Sequence, residues 1–230
     1  MAQVRTLSRR RADAFWTNVT TPLVLSPSFN YPWIAHGEHA TPVSLTNEAM
    51  PVDYVDHIRR LDWPGLRELW SRIERGTAAG WPAGKALEHL VLRAFELSGA
   101  TVQWPYGVFI DGAILEQIDG AVHLNGLSCI VECKDTAGQT NTDAIAKLRN
   151  QLLRRPAGTI GLMFSRTGFT HSAMVLADFL APQCVLPWDG EEIAYMLDQE
   201  DFTLALVAKY RRSIEHGSTR DFDIRQEVSL

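Results

Sequence analysis

ILEQIDGAVHLNGLSCIVECKD, residues 114–135, alternates apolar and polar side chains on both sides of Asn125-Gly126. Asn-Gly between two alternating runs is the strongest short-range signal for a hairpin closed by a two-residue type I′ turn. Such a turn sets the register. Leu124 then stands opposite Leu127. Stepping away from the turn, Asp119 comes opposite Glu132 and Gln117 opposite Lys134. Side chains alternate along a strand, so these four project from one face. Ile118 and Ile130 flank the carboxylates while Val131 and Cys133 fill the other face. The second strand therefore reads as central and buried on both sides.

Directly opposed residues have Cβ atoms roughly 4.5–5.5 Å apart, and like charges placed there destabilise a sheet. Two arrangements offset that cost. One is a solvated polar face with Lys134 as counter-ion. The other is a divalent cation shared by Asp119 and Glu132. Hard carboxylate oxygens suit magnesium, which binds through one or two carboxylates and keeps waters for a substrate phosphate.

Outward from the hairpin, the pattern is α/β. Residues 62–76 form a helix, with Asp62 placed to cap it, Pro64 in its first turn and Gly76 at its end. PAGKALEHLVLRAFELSGA, residues 82–100, is a stronger helix. Lys85, His89, Arg93 and Glu96 share its polar side, which makes His89 a surface residue, as His123 is on its strand. Glu88 falls at the apolar boundary, a costly place for a carboxylate without a partner. Residues 101–104, 114–123 and 127–134 read as strands. The polar stretch DTAGQTNTD leads into a helix over 144–155. TIGLMFS reads as a buried strand, SAMVLADFLA as a helix and CVLPW as a last strand. Asp189 and Glu192 form a capping-box pair, and a final helix spans 202–216. The organisation expected is a partly ordered N-terminal arm over 1–60, a core over 61–188 and a C-terminal helical extension over 189–230.

The 230 residues, 46% apolar and 21% charged, suffice for a sizeable core and exclude wholesale disorder. The net charge of −5 excludes a protein that wraps nucleic acid by bulk charge, though not one with a local basic face. No apolar run is long enough to span a membrane, and no apolar stretch follows the first arginines as in a secretory signal. Cys129, Cys133 and Cys184 lack zinc-type spacing, and Cys129 and Cys133 are badly placed to bridge. Reduced thiols in a cytoplasmic compartment are the simple reading. The histidines show no zinc spacing, and GAILEQIDG lacks the glycines of a dinucleotide loop.

Asp119, then IVECK with Glu132-x-Lys134, after a helix bearing Glu88 and before a helix and a strand, resembles the PD-(D/E)XK nuclease superfamily. The strand–turn FSRTGFT with a helix after it is similar to the Mrr-like restriction-endonuclease branch. The likeness covers roughly residues 84–188. It implies a restriction-endonuclease-like α/β core with a mixed four- or five-stranded sheet flanked by helices. It implies a magnesium or manganese ion ligated by Asp119 and Glu132, with the Cys133 carbonyl or its Val131 neighbourhood adding an oxygen. Glu88 would be an outer or water-mediated ligand. Lys134 would orient or help deprotonate the attacking water. Gln151 matches a glutamine some relatives carry on the helix after the third strand; an ordinary surface polar residue is the other reading. Ile118 stands where the family's name motif has proline.

The activity so implied is metal-dependent hydrolysis of phosphodiester bonds in DNA, within a restriction or anti-phage defence setting. RNA is not excluded as substrate. The rivals are a catalytically silent module that binds nucleic acid or protein, and a repair or junction nuclease. Lys147, Arg149, Arg154, Arg155 and Arg166 are candidate phosphate contacts, or a solvated cationic helix end. Arg9-Arg10-Arg11 is a phosphate-binding arm or a charged terminus. An acidic chain has weak electrostatic affinity for DNA on its own. A protein partner or self-association is therefore expected to supply part of the binding surface.

Overall fold

The computed structural model describes residues 53–111, 113–218, 222 and 224–227. Most of the expected N-terminal arm, with Arg9, Arg10 and Arg11, lies outside the described residues. The architecture is α/β: a mixed five-stranded sheet with helices on both faces.

The elements run α1 (Tyr54–Arg59), α2 (Trp63–Glu74), α3 (Lys85–Leu97), β1 (Thr101–Gln103), β2 (Tyr106–Ile110), β3 (Ala113–Ile118), β4 (Gly120–Leu124) and β5 (Leu127–Lys134). They continue through α4 (Thr142–Leu152), β6 (Thr159–Ser165), α5 (His171–Asp178), β7 (Cys184–Trp188), α6 (Gly190–Gln199), α7 (Phe202–His216) and α8 (Ile224–Glu227). The main sheet has the order β1-β4-β5-β6-β7. β1, β4 and β5 are antiparallel neighbours, whereas β5, β6 and β7 are parallel. The parallel half follows from its connections, since α4 and α5 each carry the chain back across the sheet.

The hairpin register holds for the five residues next to the turn, from Leu124↔Leu127 to Gly120↔Val131. Asn125 has φ 48° and Gly126 φ 84°, as a type I′ turn requires. Beyond Gly120 the expectation fails. The run read as one strand over 114–123 breaks at Asp119, and β3 leaves the sheet to pair with β2. Gln117 therefore lies opposite Gly107, not Lys134. The break is possible because residue 120 is glycine: a Cβ there would lie 2.6 Å from Leu92 Cδ2 and 3.0 Å from the Gln103 carbonyl.

β5 is buried from Cys129 to Cys133. Cys129, Val131 and Cys133 face a core built with α1, α2, α3, α6 and α7, in which Phe95, Phe164, Trp188 and Phe202 pack ring on ring. Ile130 faces a smaller core under α4 and α5, with Ile145, Leu148, Met163 and Val185. Gly161 on β6 brings α4 close: a Cβ there would meet Leu148 Cδ2 at 2.9 Å and Leu152 Cδ1 at 3.0 Å. The C-terminal helices α6 and α7 bury Ile193, Met196, Phe202 and Leu206 in the larger core. The Asp189–Glu192 capping box opens α6 as expected. Lys209 of α7, 3% exposed, donates to Glu192 and to the Pro187 carbonyl, which fastens α7 to β7.

His89 is not on the surface. It is 5% exposed, and its ring lies 5.4 Å from that of Trp81 and 5.8 Å from that of Trp104. The polar face of α3 is covered by aromatics from the segments flanking the helix, and burial lowers the His89 pKa. His123 is exposed, as expected. The three cysteines are free thiols. No described helix is long and apolar enough to cross a membrane.

Candidate active site

In open α/β sheets, crevices at the carboxyl ends of parallel strands are the usual places for chemistry. The end of β5 is such a place, and there β4 has already stopped. Asp119 occupies the break, and its Oδ2 accepts from the Cys133 backbone N–H at 2.8 Å. Asp119 thus does not stand in a cross-strand pair. It turns its carboxylate into the strand edge that β4 vacates. The N–H and C=O of one strand residue point to the same edge. The Cys133 carbonyl is therefore directed toward that edge as well.

Glu132 is 1% exposed and carries three charge-assisted hydrogen bonds. Lys134 Nζ donates to Oε1 at 2.7 Å. Lys147 Nζ donates to Oε1 at 2.7 Å and to Oε2 at 2.8 Å. Lys134 and Glu132 meet because residues two apart share a strand face. Lys147 reaches them from α4. The sequence alone offers it only as a candidate phosphate contact on the helix beside the site. The available signal was its spacing with Gln151, one helical turn on, along the edge of the apolar face formed by Ala144, Ile145, Leu148 and Leu152.

Glu88, from the first turn of α3, is 8% exposed, and Lys85 donates to its Oε2 at 2.6 Å. Burial raises the Glu88 pKa, and the Lys85 hydrogen bond opposes this; Glu132 raises it further. Asp119 is pushed up to about 6 by burial and then by the charges of Glu132 and Glu88, against the pull of the Cys133 N–H. The three carboxylates therefore sense one another. Lys134 experiences opposite influences: burial lowers its pKa, but the hydrogen bond and charge of Glu132 win and raise it.

Gln151 is buried rather than a surface residue, and its Nε2 donates to the Gln117 carbonyl at 3.4 Å. It braces β3 against α4. Arg154 and Arg155 both pair with Glu116 of β3, a carboxylate only 7% exposed, with Arg155 at 2.6 Å. Arg166 pairs with Asp135 and donates to the Thr136 carbonyl at 2.9 Å, tying down the loop after β5. Four of the five expected phosphate contacts thus hold internal partners: Arg154, Arg155, Arg166 and, through Glu132, Lys147. Lys147 sits in the centre itself, and Arg149 is exposed on α4. Glu116, as the anchor of both arginines, escaped sequence reasoning.

Two clefts border the centre. One, of about 370 Å³, is lined by Lys134, Thr136, Thr140, Asn141 and Lys147. The other, of about 600 Å³, is lined by Glu116, Gln117, Lys147, Gln151 and Arg154. Thr140 and Ser165 hydroxyls at 2.7 Å, and Ser165 donating to the Gly168 carbonyl at 2.8 Å, hold the wall of the first.

Among the described residues no three His, Cys, Asp or Glu side chains gather closely enough to form a metal cage. The donor set is hard: the Asp119 and Glu132 carboxylates and the main-chain carbonyl directed to the same edge. It fits a magnesium-sized cation that keeps several waters. Lys147 already places positive charge across both oxygens of Glu132.

No family model matches the chain, and no curated protein does. Among solved structures it is similar to a protein of unknown function, AF1548, at 17% identity and TM-score 0.41, over 57% of this chain and 77% of that one. It is similar to the DNA modification-dependent restriction endonuclease AspBHI at 14% identity and TM-score 0.39, over 76% and 44%. It is also similar to MspJI restriction endonuclease, solved in complex with a 27-mer oligonucleotide, at 15% identity and TM-score 0.37, over 80% and 43%. The chain spans less than half the length of those two enzymes, and the chemistry of its site rests on its own residues.

Proposed function

We propose that this protein is a metal-dependent nuclease that hydrolyses phosphodiester bonds in DNA. The observation that carries the reading is the meeting of Asp119, Glu132 and Lys134 at the β4–β5 break. Burial and the charge of Glu132 make the Asp119 carboxylate costly to ionise there, and a fold without ligands has no use for that cost.

Asp119 and Glu132 would hold magnesium or manganese, with the Cys133 carbonyl, and Glu88 as an outer partner. Such an ion supplies charge stabilisation to the nonbridging oxygens of the scissile phosphate and acidifies water. The rest is done by side chains. Lys134, 29% exposed, is near enough to solvent to hold an attacking water by hydrogen bond. Its raised pKa keeps it protonated at neutral pH, so it acts first as a donor that orients water and stabilises the phosphate's developing charge. Gln151 positions β3, and through it Asp119. Arg149 on α4 offers an exposed phosphate contact. Because the chain is acidic, a protein partner or a second copy supplies further binding surface. A restriction or defence role fits a nuclease so recruited.

The test is incubation of supercoiled plasmid with the protein and magnesium. Nicked or linear product is expected, with loss of both in a folded Lys134→Ala variant. No product with magnesium or manganese, on DNA or RNA, overturns the proposal and favours a silent binding module.

A further inference from the structure

Lys85 pairs with Glu88, and Lys134 and Lys147 pair with Glu132, beside Asp119 at the candidate centre, and the three lysines are not equivalent. Lys85 serves Glu88. Lys134 takes one oxygen of Glu132 and is 29% exposed. Lys147 takes both oxygens of Glu132, yet half of its side chain is in solvent. It stands between the two clefts and lines each of them. Glu132 itself is sealed at 1% exposure, so any ion that reaches its oxygens competes with the ammonium groups already there.

We propose that Lys147 is an exchangeable counter-ion: it gives up Glu132 when a divalent cation binds, and its freed ammonium then takes a nonbridging phosphate oxygen of the nucleic acid. The inference rests on the metal-dependent reading above and adds a linkage to it. Lys147 is the group that moves because its only hydrogen bonds among the described residues are those to Glu132 and its stem already reaches solvent. A long unbranched side chain on a helix edge can swing its charge several ångströms without moving the backbone. Exchange keeps the centre near neutral: in the free state the ammonium offsets Glu132, and in the loaded state the cation does. Leaving either charge unpaired in a buried site would be costly. Exchange also makes metal and substrate binding reciprocal, because the same lysine opposes one ligand and, once released, holds the other.

Isothermal titration with Mn2+ in the absence of DNA tests the first half, on the wild type, Lys147→Met and Lys147→Arg. Removing charge-assisted hydrogen bonds that the cation must break is expected to tighten Mn2+ binding by roughly tenfold in Lys147→Met. Lys147→Arg, which can still pair with Glu132, is expected to stay near the wild type. Fluorescence anisotropy with a labelled duplex, with and without Ca2+, tests the second half. Ca2+ is expected to raise duplex affinity in the wild type and to raise it less in Lys147→Met. Equal or weaker Mn2+ binding by a folded Lys147→Met overturns the exchange and leaves the nuclease reading intact. An unchanged Ca2+ effect on duplex binding overturns the phosphate role. No Mn2+ uptake by any form, even with DNA, removes both the exchange and the reading beneath it. Circular dichroism checks folding, and Lys147→Gln takes the place of the methionine variant should that variant unfold.

Discussion

Asp119→Asn separates the electrostatic cost of the site from its use. Burial, then the charges of Glu132 and Glu88, push the Asp119 carboxyl up to about 6 from an ordinary value of 3.8. One pKa unit corresponds to about 1.4 kcal/mol, so ionising Asp119 at neutral pH costs the folded state up to roughly 3 kcal/mol. Solvent screening at this partly exposed edge reduces that to ~2 kcal/mol. The sign follows from proton uptake. The folded carboxyl binds its proton more tightly than the unfolded one, so wild-type stability falls as pH rises from about 4 to about 6 and is level above that for this group. Asparagine removes the charge and keeps an oxygen for the Cys133 N–H. Asp119→Asn is therefore expected to be more stable than the wild type at pH 7.5 with a chelator present, by ~2 kcal/mol. For a chain of this size that is roughly 4–8 °C in Tm. At pH 4 the gap closes. Thermal melts from pH 4 to pH 8 read both values. An Asp119→Asn variant less stable than the wild type at pH 7.5, or a gap that does not depend on pH, would refute the reasoning.

Other variants probe other parts of the account. Lys134→Met is expected to abolish plasmid nicking while the circular dichroism spectrum stays native; full activity would remove Lys134 from the chemistry. Arg155→Ala leaves buried Glu116 with only Arg154 as counter-ion among the described residues and should cost about 1–3 kcal/mol in urea unfolding, whereas the exposed Arg149→Ala should cost under about 0.5 kcal/mol. Gly120→Ala drives a methyl into Leu92 and should destabilise the fold by ~2 kcal/mol, with loss of activity because Asp119 adjoins the clash.

The part of the site that local chemistry dictates was legible. Asn125-Gly126 admits a narrow choice of turn, and from it the ladder follows down to Gly120↔Val131. β5 and α7 follow from their periods, and β6 and β7 from short unbroken apolar runs bounded by turn residues. The break at Asp119 was not legible, because nothing in IDGAV itself ends a strand and the cause lies elsewhere. β2 offers β3 another partner, and Leu92 of α3 leaves no room for a side chain at position 120. β2 itself, in a stretch with Pro105 and Gly107, carries too weak a period to announce a strand. The burial of His89 and the entry of Lys147 have the same origin. Each depends on groups outside its own element: Trp81 and Trp104 for one, and the approach of α4 over Gly161 for the other.

The central claim is that Asp119 and Glu132 form one cation site in which Lys134 works. Crystals soaked in Mn2+ and measured at the manganese absorption edge address it directly. The account predicts an anomalous peak within bonding distance of both carboxylates, at the end of β5. A peak bound elsewhere, or none at this edge with nucleic acid present, would contradict it.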